Sequence, residues 1–430
     1  MGKEGKKGCG KAHQEAEENI MGFEYINKNL SCDGVKIDQI AEKIKTPFYL
    51  YSKNEIEKNF LLYKTSFEKL SPLICYAAKV NSSISIFKLL ASLGAGCDVA
   101  SCGELFLALS AGIPQDKIVF NGNGKRADEI ERAVLSDILI ICDSQDELFL
   151  IDQKAREKQK KIRVIFRVNP DISASTHPYI ATGLAQSKFG MKPSVVKDLW
   201  AIGKGLANVE LVGLSSHIGS QITEIEPFYE NARKLVALAS ELKGVEYLDL
   251  GGGLGISYTQ EKTPTPKDLA DGLLPILSEK GIKLILEPGR SIVGSAGCLI
   301  TKVSYLKESH KTFIVVDCGM NDLIRPALYK SFHRILPVSQ NGEEEILADV
   351  VGPLCEDGDF LGRQRKISRP KAGDLLSIMD AGAYGFSMSS NYNARTRPAE
   401  VMVIDGNFHI IREAETEEDL ICHQRIPECL

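Results

Sequence analysis

A lysine closes the apolar run Leu73-Ile74-Cys75-Tyr76-Ala77-Ala78-Lys79-Val80-Asn81. An ammonium in such a place must find water or a partner, because desolvating it alone costs several kcal/mol. Lys79 could be a strand-end lysine snorkelling to solvent. It could also be a Schiff-base lysine, desolvated so that its amine is nucleophilic near neutral pH. Three further features bear on the choice. The run Gly251-Gly252-Gly253-Leu254-Gly255 bares successive backbone N–H groups that can form an anion-binding nest. His217, in His217-Ile218-Gly219-Ser220-Gln221, is either structural or a ligand-facing ring. Glu287, in Glu287-Pro288-Gly289-Arg290, is either ion-paired with Arg290 or a carboxylate able to keep a ring nitrogen protonated. These groups matter together only if the fold gathers them.

The elements that carry them alternate. Short β-rich runs read Leu73–Lys79, Gly96–Ala100, Ile118–Phe120, Ile138–Cys142, Ile162–Val168, Leu211–His217, Tyr247–Leu250 and Lys283–Leu286. Most are continuously apolar, the pattern of parallel strands covered on both faces. Amphipathic stretches such as Ile84–Leu93, Gln145–Gln159 and Asp268–Lys280 lie between them. Eight strands across roughly 250 residues predict an α/β fold, a (β/α)8 TIM barrel over residues 46–299, with a doubly wound open sheet as the alternative. After Gly294, turn signals at Gln340-Asn341-Gly342 and Asp405-Gly406-Asn407 separate short alternating strands. They predict a C-terminal antiparallel β domain of residues 300–430, joined by residues 23–45. Residues 1–22, rich in Lys, Glu and Gly, read as a disordered tail.

A barrel carries its active site at the C-terminal ends of its strands. Those ends fall at Lys79, Asp98 to Ser101, Asn121, Asp143, Arg167 and Asn169, His217 to Gln221, Gly251 to Gly255, and Glu287 to Arg290. Polar residues thus collect on one rim, and the glycine nest follows strand seven, where barrels often bind phosphate. An amine, a phosphate nest, a carboxylate and a ring-facing imidazole on one rim describe a site for pyridoxal 5'-phosphate.

Composition narrows the rest. The chain has 430 residues, 43% of them hydrophobic, enough for a large core and two domains. A net charge of −5 leaves no electrostatic footprint for nucleic acid or an anionic membrane. No apolar run approaches the roughly 18 residues that span a bilayer, and the N-terminus has the character of neither a signal nor a transit peptide. The eleven cysteines include no Cys-x-x-Cys pair. Cys75, Cys142 and Cys298 lie in apolar runs and read as small hydrophobes. Neither disulfides nor a metal site is expected, and the compartment is reducing and cytoplasmic.

At this point the motifs match a known group. Tyr76-Ala77-Ala78-Lys79-Val80-Asn81, His217 to Gln221, Gly251 to Gly255 and Glu287 to Arg290 resemble the fold-type III pyridoxal-phosphate decarboxylases, which share their fold with alanine racemase. Within that group, Thr182-Gly183 through Ser187-Lys188-Phe189-Gly190, Met320 to Tyr329, Gly352-Pro353-Leu354-Cys355-Glu356 and Ala381-Gly382-Ala383-Tyr384 are similar to the diaminopimelate decarboxylase family. The resemblance covers about residues 23 to 415. It implies that Lys79 joins the cofactor covalently, that His217 stacks on its ring, and that Glu287 holds the ring nitrogen protonated. It implies that Gly253, Gly255 and the Gly289-Arg290 backbone bind the phosphate; Asp98, Ser220 and Gly252 complete the expected cofactor contacts. Arg290, Arg325 and Tyr329 would hold the substrate's distal carboxylate, Glu356 its distal ammonium, and Tyr384 would touch both cofactor and substrate. Cys355 would return a proton after decarboxylation, reaching the site with Glu356 from a second subunit of a homodimer. Asp357 departs from the Ser or Thr common in the family.

The substrate choice also follows from the residues. Arginine is the preferred carboxylate binder, so two arginines and a glutamate suit a molecule with an amino-acid head at both ends, meso-2,6-diaminopimelate. The expected reaction yields L-lysine and carbon dioxide. Alternatives are another decarboxylase of this fold, acting on ornithine, arginine or carboxynorspermidine, and a non-catalytic regulatory homologue.

Overall fold

The structure, a computed structural model, describes residues 22–173, 182–184, 186–277 and 281–430. The predicted tail lies, apart from Gly22, outside the described residues, as does the end of the helix expected to reach Lys280.

Eight parallel strands close into a barrel: Leu73–Ala77, Gly96–Val99, Ile118–Phe120, Leu139–Cys142, Ile162–Arg167, Val209–Ser215, Tyr247–Asp249 and Lys283–Leu286. The last pairs with the first through Ile285 against Leu73 and Leu286 against Ile74, which excludes the open sheet. The continuous apolar runs have a simple cause. One side of each strand packs inward, where Cys75, Val119, Leu139, Ile141, Ile165, Val212 and Ile285 form the barrel's own core. The other side faces helices such as Ile84–Ser92, Gln145–Glu157 and Glu226–Ser240. Cys75, Cys142 and Cys298 are fully buried, as small hydrophobes should be.

Strand ends differ from the sequence expectation in one useful way. The first strand stops at Ala77, and Lys79 sits in a single 3-10 turn, Ala78–Val80. The sixth stops at Ser215, two residues before His217. Both side chains therefore belong to the loops above the barrel. Two of the helices that follow are started by serines at those strand ends. Ser101 Oγ accepts the Glu104 N–H at 3.2 Å, and Ser144 Oγ accepts that of Glu147 at 3.2 Å, each satisfying an otherwise orphaned donor.

The second domain holds a nine-stranded sheet among the described residues, mostly antiparallel, with two parallel pairs. Its long central strand, Gly297–Glu308, leaves the barrel directly after the short helix Arg290–Val293. Phe48–Ser52, on the barrel side of the expected boundary, is also a strand of this sheet, between Gly297–Glu308 and Ala399–Ile404. The N-terminal strands Phe23–Ile26, Asn29–Cys32 and Val35–Lys36 pack on it, with Phe23, Leu30, Phe48, Cys298 and Val401 in one buried cluster. Interleaving strands from both ends of the chain fixes the β domain against the barrel rim.

Candidate active site

Above the barrel lies a cavity of about 940 Å³, and Lys79, His217, Ser220, Arg290, Arg325, Tyr329 and Tyr384 all line it. Asp98, Glu287 and the glycines stand directly behind these residues. Cys355 and Glu356 do not line it; both are exposed on the loop between strands Glu345–Val351 and Phe360–Ser368.

Lys79 Nζ donates to Asp98 Oδ2 at 3.0 Å. Burial pulls the ammonium down, but the carboxylates of Asp98 and Glu287 outweigh it and hold Lys79 above the usual lysine range. This corrects the expectation of an amine made nucleophilic by desolvation: without the cofactor Lys79 is a paired cation. Asp98 is 1% exposed, and its other oxygen has no hydrogen-bond partner among the described residues.

Glu287 is 3% exposed and accepts from Asn121 Nδ2 at 3.2 Å; Arg167 Nη1 donates to the Asn121 amide oxygen at 3.1 Å. Burial, then the charges of Asp249 and Asp98, push Glu287 well above the carboxylate range. Asp249, fully buried, is pushed up to about 6 by that burial and hydrogen-bonds Glu287. Two carboxyl groups this close cannot both ionise, so the pair keeps a proton. It is fixed from below, since Asp249 accepts from Ser215 Oγ at 2.9 Å and from Gly251 N–H at 2.8 Å.

His217 Nδ1 accepts the Gly252 N–H at 3.2 Å, so the ring is neutral with its proton on Nε2. Burial, then the positive charges of Lys79 and Arg167, push the imidazole well below its usual range. A neutral ring suits stacking. The glycines allow loops to close over one another: a Cβ at Gly252 would lie 2.1 Å from the Glu287 carbonyl, and one at Gly253, where φ is +111°, 2.4 Å from the Gly219 carbonyl. The Gly252 N–H goes to His217 and that of Gly255 to the Ile222 carbonyl. Gly289 is held by contact; its Cβ would meet Val80 at 2.4 Å.

Arg290 and Arg325 share one aromatic neighbour. Arg290 Nη1 donates to Tyr258 Oη at 2.8 Å and Nη2 to Ser220 Oγ at 3.0 Å, while Nε has no partner among the described residues. The Arg325 guanidinium lies 5.0 Å from the centre of the Tyr258 ring and Nη1 donates to His333 Nε2 at 2.9 Å. His333 Nδ1 donates to the Met379 carbonyl at 2.8 Å, which fixes the tautomer. Tyr384, at φ +55°, packs its ring 4.9 Å from the Arg290 guanidinium.

Sequence reasoning did not single out Asp249, Tyr258 or His333. Asp249 carried a signal: it interrupts the apolar run Tyr247-Leu248-Asp249-Leu250, much as Lys79 ends its own. Tyr258 and His333 carried none, since each is placed by a tertiary contact with an arginine.

The donor set fits pyridoxal phosphate. An amine opens into the cavity, a proton-holding carboxyl pair lies at the floor, a neutral imidazole stands beside it, and a buried guanidinium with an unused donor stands at the rim. A family model described as the pyridoxal-binding domain of pyridoxal-dependent decarboxylases matches residues 53–294. The chain belongs to the pyridoxal-dependent decarboxylase family, and within it groups with the diaminopimelate decarboxylases. It is 46% identical to the diaminopimelate decarboxylase of Aquifex aeolicus, over 93% of this chain and 96% of that one. The crystal structure of diaminopimelate decarboxylase from M. jannaschii superposes with a TM-score of 0.91 at 38% identity, covering 96% of this chain and 99% of the other. The Helicobacter pylori diaminopimelate decarboxylase, solved with L-lysine, gives 0.87 at 41% identity, covering 90% and 98%.

Proposed function

We propose that this chain decarboxylates meso-2,6-diaminopimelate to L-lysine and carbon dioxide, as a cytoplasmic homodimer. The observation that carries the substrate assignment is the Arg290–Arg325 pair, two buried guanidiniums flanking Tyr258 on the cavity that Lys79 opens into. A substrate whose far end is a bare amine would leave these cations without a carboxylate, an expensive arrangement in a buried site.

Bound pyridoxal phosphate supplies the electron sink for the bond-breaking step. The chain's residues orient and tune. Lys79 must shed a proton before its amine can react, and Asp98 Oδ2, at 3.0 Å, holds the nitrogen in place at the cavity. The Glu287–Asp249 pair, with the one proton it keeps, would share that proton with a basic ring nitrogen held against Glu287. His217 packs against the ring. Ser220, with the loops of Gly253 and Gly289-Arg290, holds the phosphate end. Arg325, Tyr329 and Arg290 hold the distal carboxylate, so the carboxylate that leaves is the one at the reacting end.

One group is missing from this set: a proton donor for the carbon that loses carbon dioxide. Cys355 and Glu356 would supply it and the ammonium contact, but they are exposed and do not line their own chain's cavity. A second copy presenting this loop over the cavity completes the site, which is the support for the homodimer. Free buried cysteines suit a reducing cytoplasm, and no helix among the described residues is long and apolar enough to cross a membrane.

The test is a substrate panel with added pyridoxal phosphate, measuring carbon dioxide release. Diaminopimelate should be turned over and ornithine, arginine and carboxynorspermidine should not. Release from ornithine without release from diaminopimelate would reject the assignment.

A further inference from the structure

The loop that carries Cys355 and Glu356 is exposed, yet it is held by its own Asp359 and by a side chain from elsewhere, Asn393. Asp359, 4% exposed, accepts the Leu354 N–H on one oxygen and the Met320 N–H on the other, both at 2.7 Å. Met320 begins the segment that ends in Arg325 and Tyr329. Asn393 Oδ1 accepts the N–H of Cys355 itself at 3.0 Å. Next to it, Tyr392 hydrogen-bonds Glu356, which pushes the phenol above its usual range.

Asn393 stands at the end of a strap that starts beside Lys79. The Tyr384 N–H donates to the Val80 carbonyl at 2.8 Å, and Ser387 Oγ donates to the same carbonyl at 3.0 Å. Met388 lines the cavity, and the Ser390 N–H donates to the Asn321 carbonyl at 2.9 Å. The strap then turns sharply, with Asn393 and Ala394 both at φ +56°. Asparagine tolerates this left-handed region and alanine does so only at a cost, so the turn is a strained feature kept in place by its surroundings. What the turn achieves is to aim the Asn393 amide at the Cys355 backbone.

We infer that Asn393 is a positioning residue for the Cys355 thiol, acting through the Cys355 N–H on the loop its subunit lends to the opposite site. The inference rests on the shared-site reading above. It makes the strap a mechanical link between a subunit's own lysine turn and the thiol it exports.

The test uses cofactor-loaded dimers. Asn393→Gly keeps the left-handed backbone and removes the amide, while Asn393→Asp keeps an acceptor. Asn393→Gly should lower kcat by about 10²-fold, the cost of a misplacement near 1 Å, with unchanged pyridoxal phosphate affinity and visible spectrum. Asn393→Asp should recover most of that loss. The decisive readout is subunit mixing. In a dimer of Asn393→Gly with Lys79→Ala, the single site with a lysine receives its Cys355 loop from the Lys79→Ala chain, whose Asn393 is intact. That site should turn over at the wild-type rate per lysine. A mixture of Lys79→Ala with Cys355→Ala serves as control and should also regain activity. If the control is active while Asn393→Gly/Lys79→Ala dimers stay impaired, Asn393 acts on its own site and the inference is wrong. Homodimers of Asn393→Gly with wild-type kcat overturn it as well. An inactive control removes the shared-site reading, and this inference with it.

Discussion

The barrel rim and the Cys355 loop carry the chemistry in opposite ways. On the rim, polar groups are paired in series: Lys79, open to the cavity, with the buried Asp98, and behind it Asp249 with Glu287, Asn121 with Arg167, Arg325 with His333. On the loop, Cys355 and Glu356 are exposed, and only their backbone and flanks are tied down. A buried charge left without partners costs about 3–5 kcal/mol, so it is hydrogen-bonded within its own chain. An exposed thiol needs no partner until another surface covers it. The difference separates residues placed to set up the cofactor from those proposed to finish the reaction, and under the proposed homodimer the two groups come from different subunits.

The sharpest way to break that contrast is Lys79→Ala. It should lower turnover by about 10³-fold or more and abolish covalent attachment, read as loss of the borohydride-fixed cofactor adduct on the intact protein by mass spectrometry. An adduct that persists would mean that another amine does this work. Cys355→Ala should cost about 10²–10⁴-fold in kcat, the range for a lost general acid, while leaving the cofactor's visible spectrum and affinity as in the wild type. Unchanged turnover would remove the thiol from the mechanism.

How much of this was legible beforehand follows the same division. The rim could be read because a parallel barrel strand is apolar up to the point where it stops pairing. A polar residue in the last pairs, such as Asp98, or just beyond them, such as Glu287, therefore marks the end facing the site. The protonation state of Lys79 was not legible. It depends on the Asp98 and Glu287 carboxylates, which stand at the ends of strands two and eight, and spacing along the chain does not reveal that they meet. Phe48–Ser52 was placed with the barrel because proximity in sequence suggested it. Its partners, Gly297–Ile300 and Ala399–Val403, come from far along the chain. Cys355 and Glu356 were legible through family resemblance alone, because an exposed loop shows no burial pattern to read. Arg325 came the same way, while its partner His333, eight residues on, left no trace.

A smaller effect tests the distal end of the rim. Arg325→Ala should lower kcat/KM for diaminopimelate by about 10²-fold, the worth of a charge-assisted hydrogen bond of about 2–3 kcal/mol, with the loss mostly in KM. Equal losses in kcat and kcat/KM would place Arg325 closer to the reacting carbon than the Tyr258 geometry allows.

The smallest effect concerns the acceptor that aims Arg325. His333 is fully buried, and burial, then the charge of Arg325, pushes its imidazole down to about 3. An unfolded histidine titrates near ~6.5. Between these values the unfolded chain binds a proton that the folded chain refuses. The His333 contribution to stability is therefore complete above about pH 6.5 and is lost as the pH falls toward 3, at a slope approaching ~1.4 kcal/mol per pH unit. His333→Asn can still accept from Arg325 but does not titrate. Denaturant unfolding of both proteins across this range should show the wild type losing stability relative to the variant as the solution is acidified. Asp249 and Asp322 are raised to about 6 and about 7 and so oppose this trend. They are present in both proteins and cancel in the difference. Parallel curves would mean that His333 already carries its proton in the folded state. Arg325 would then face a cation instead of an acceptor, and the distal clamp would need another partner to hold it.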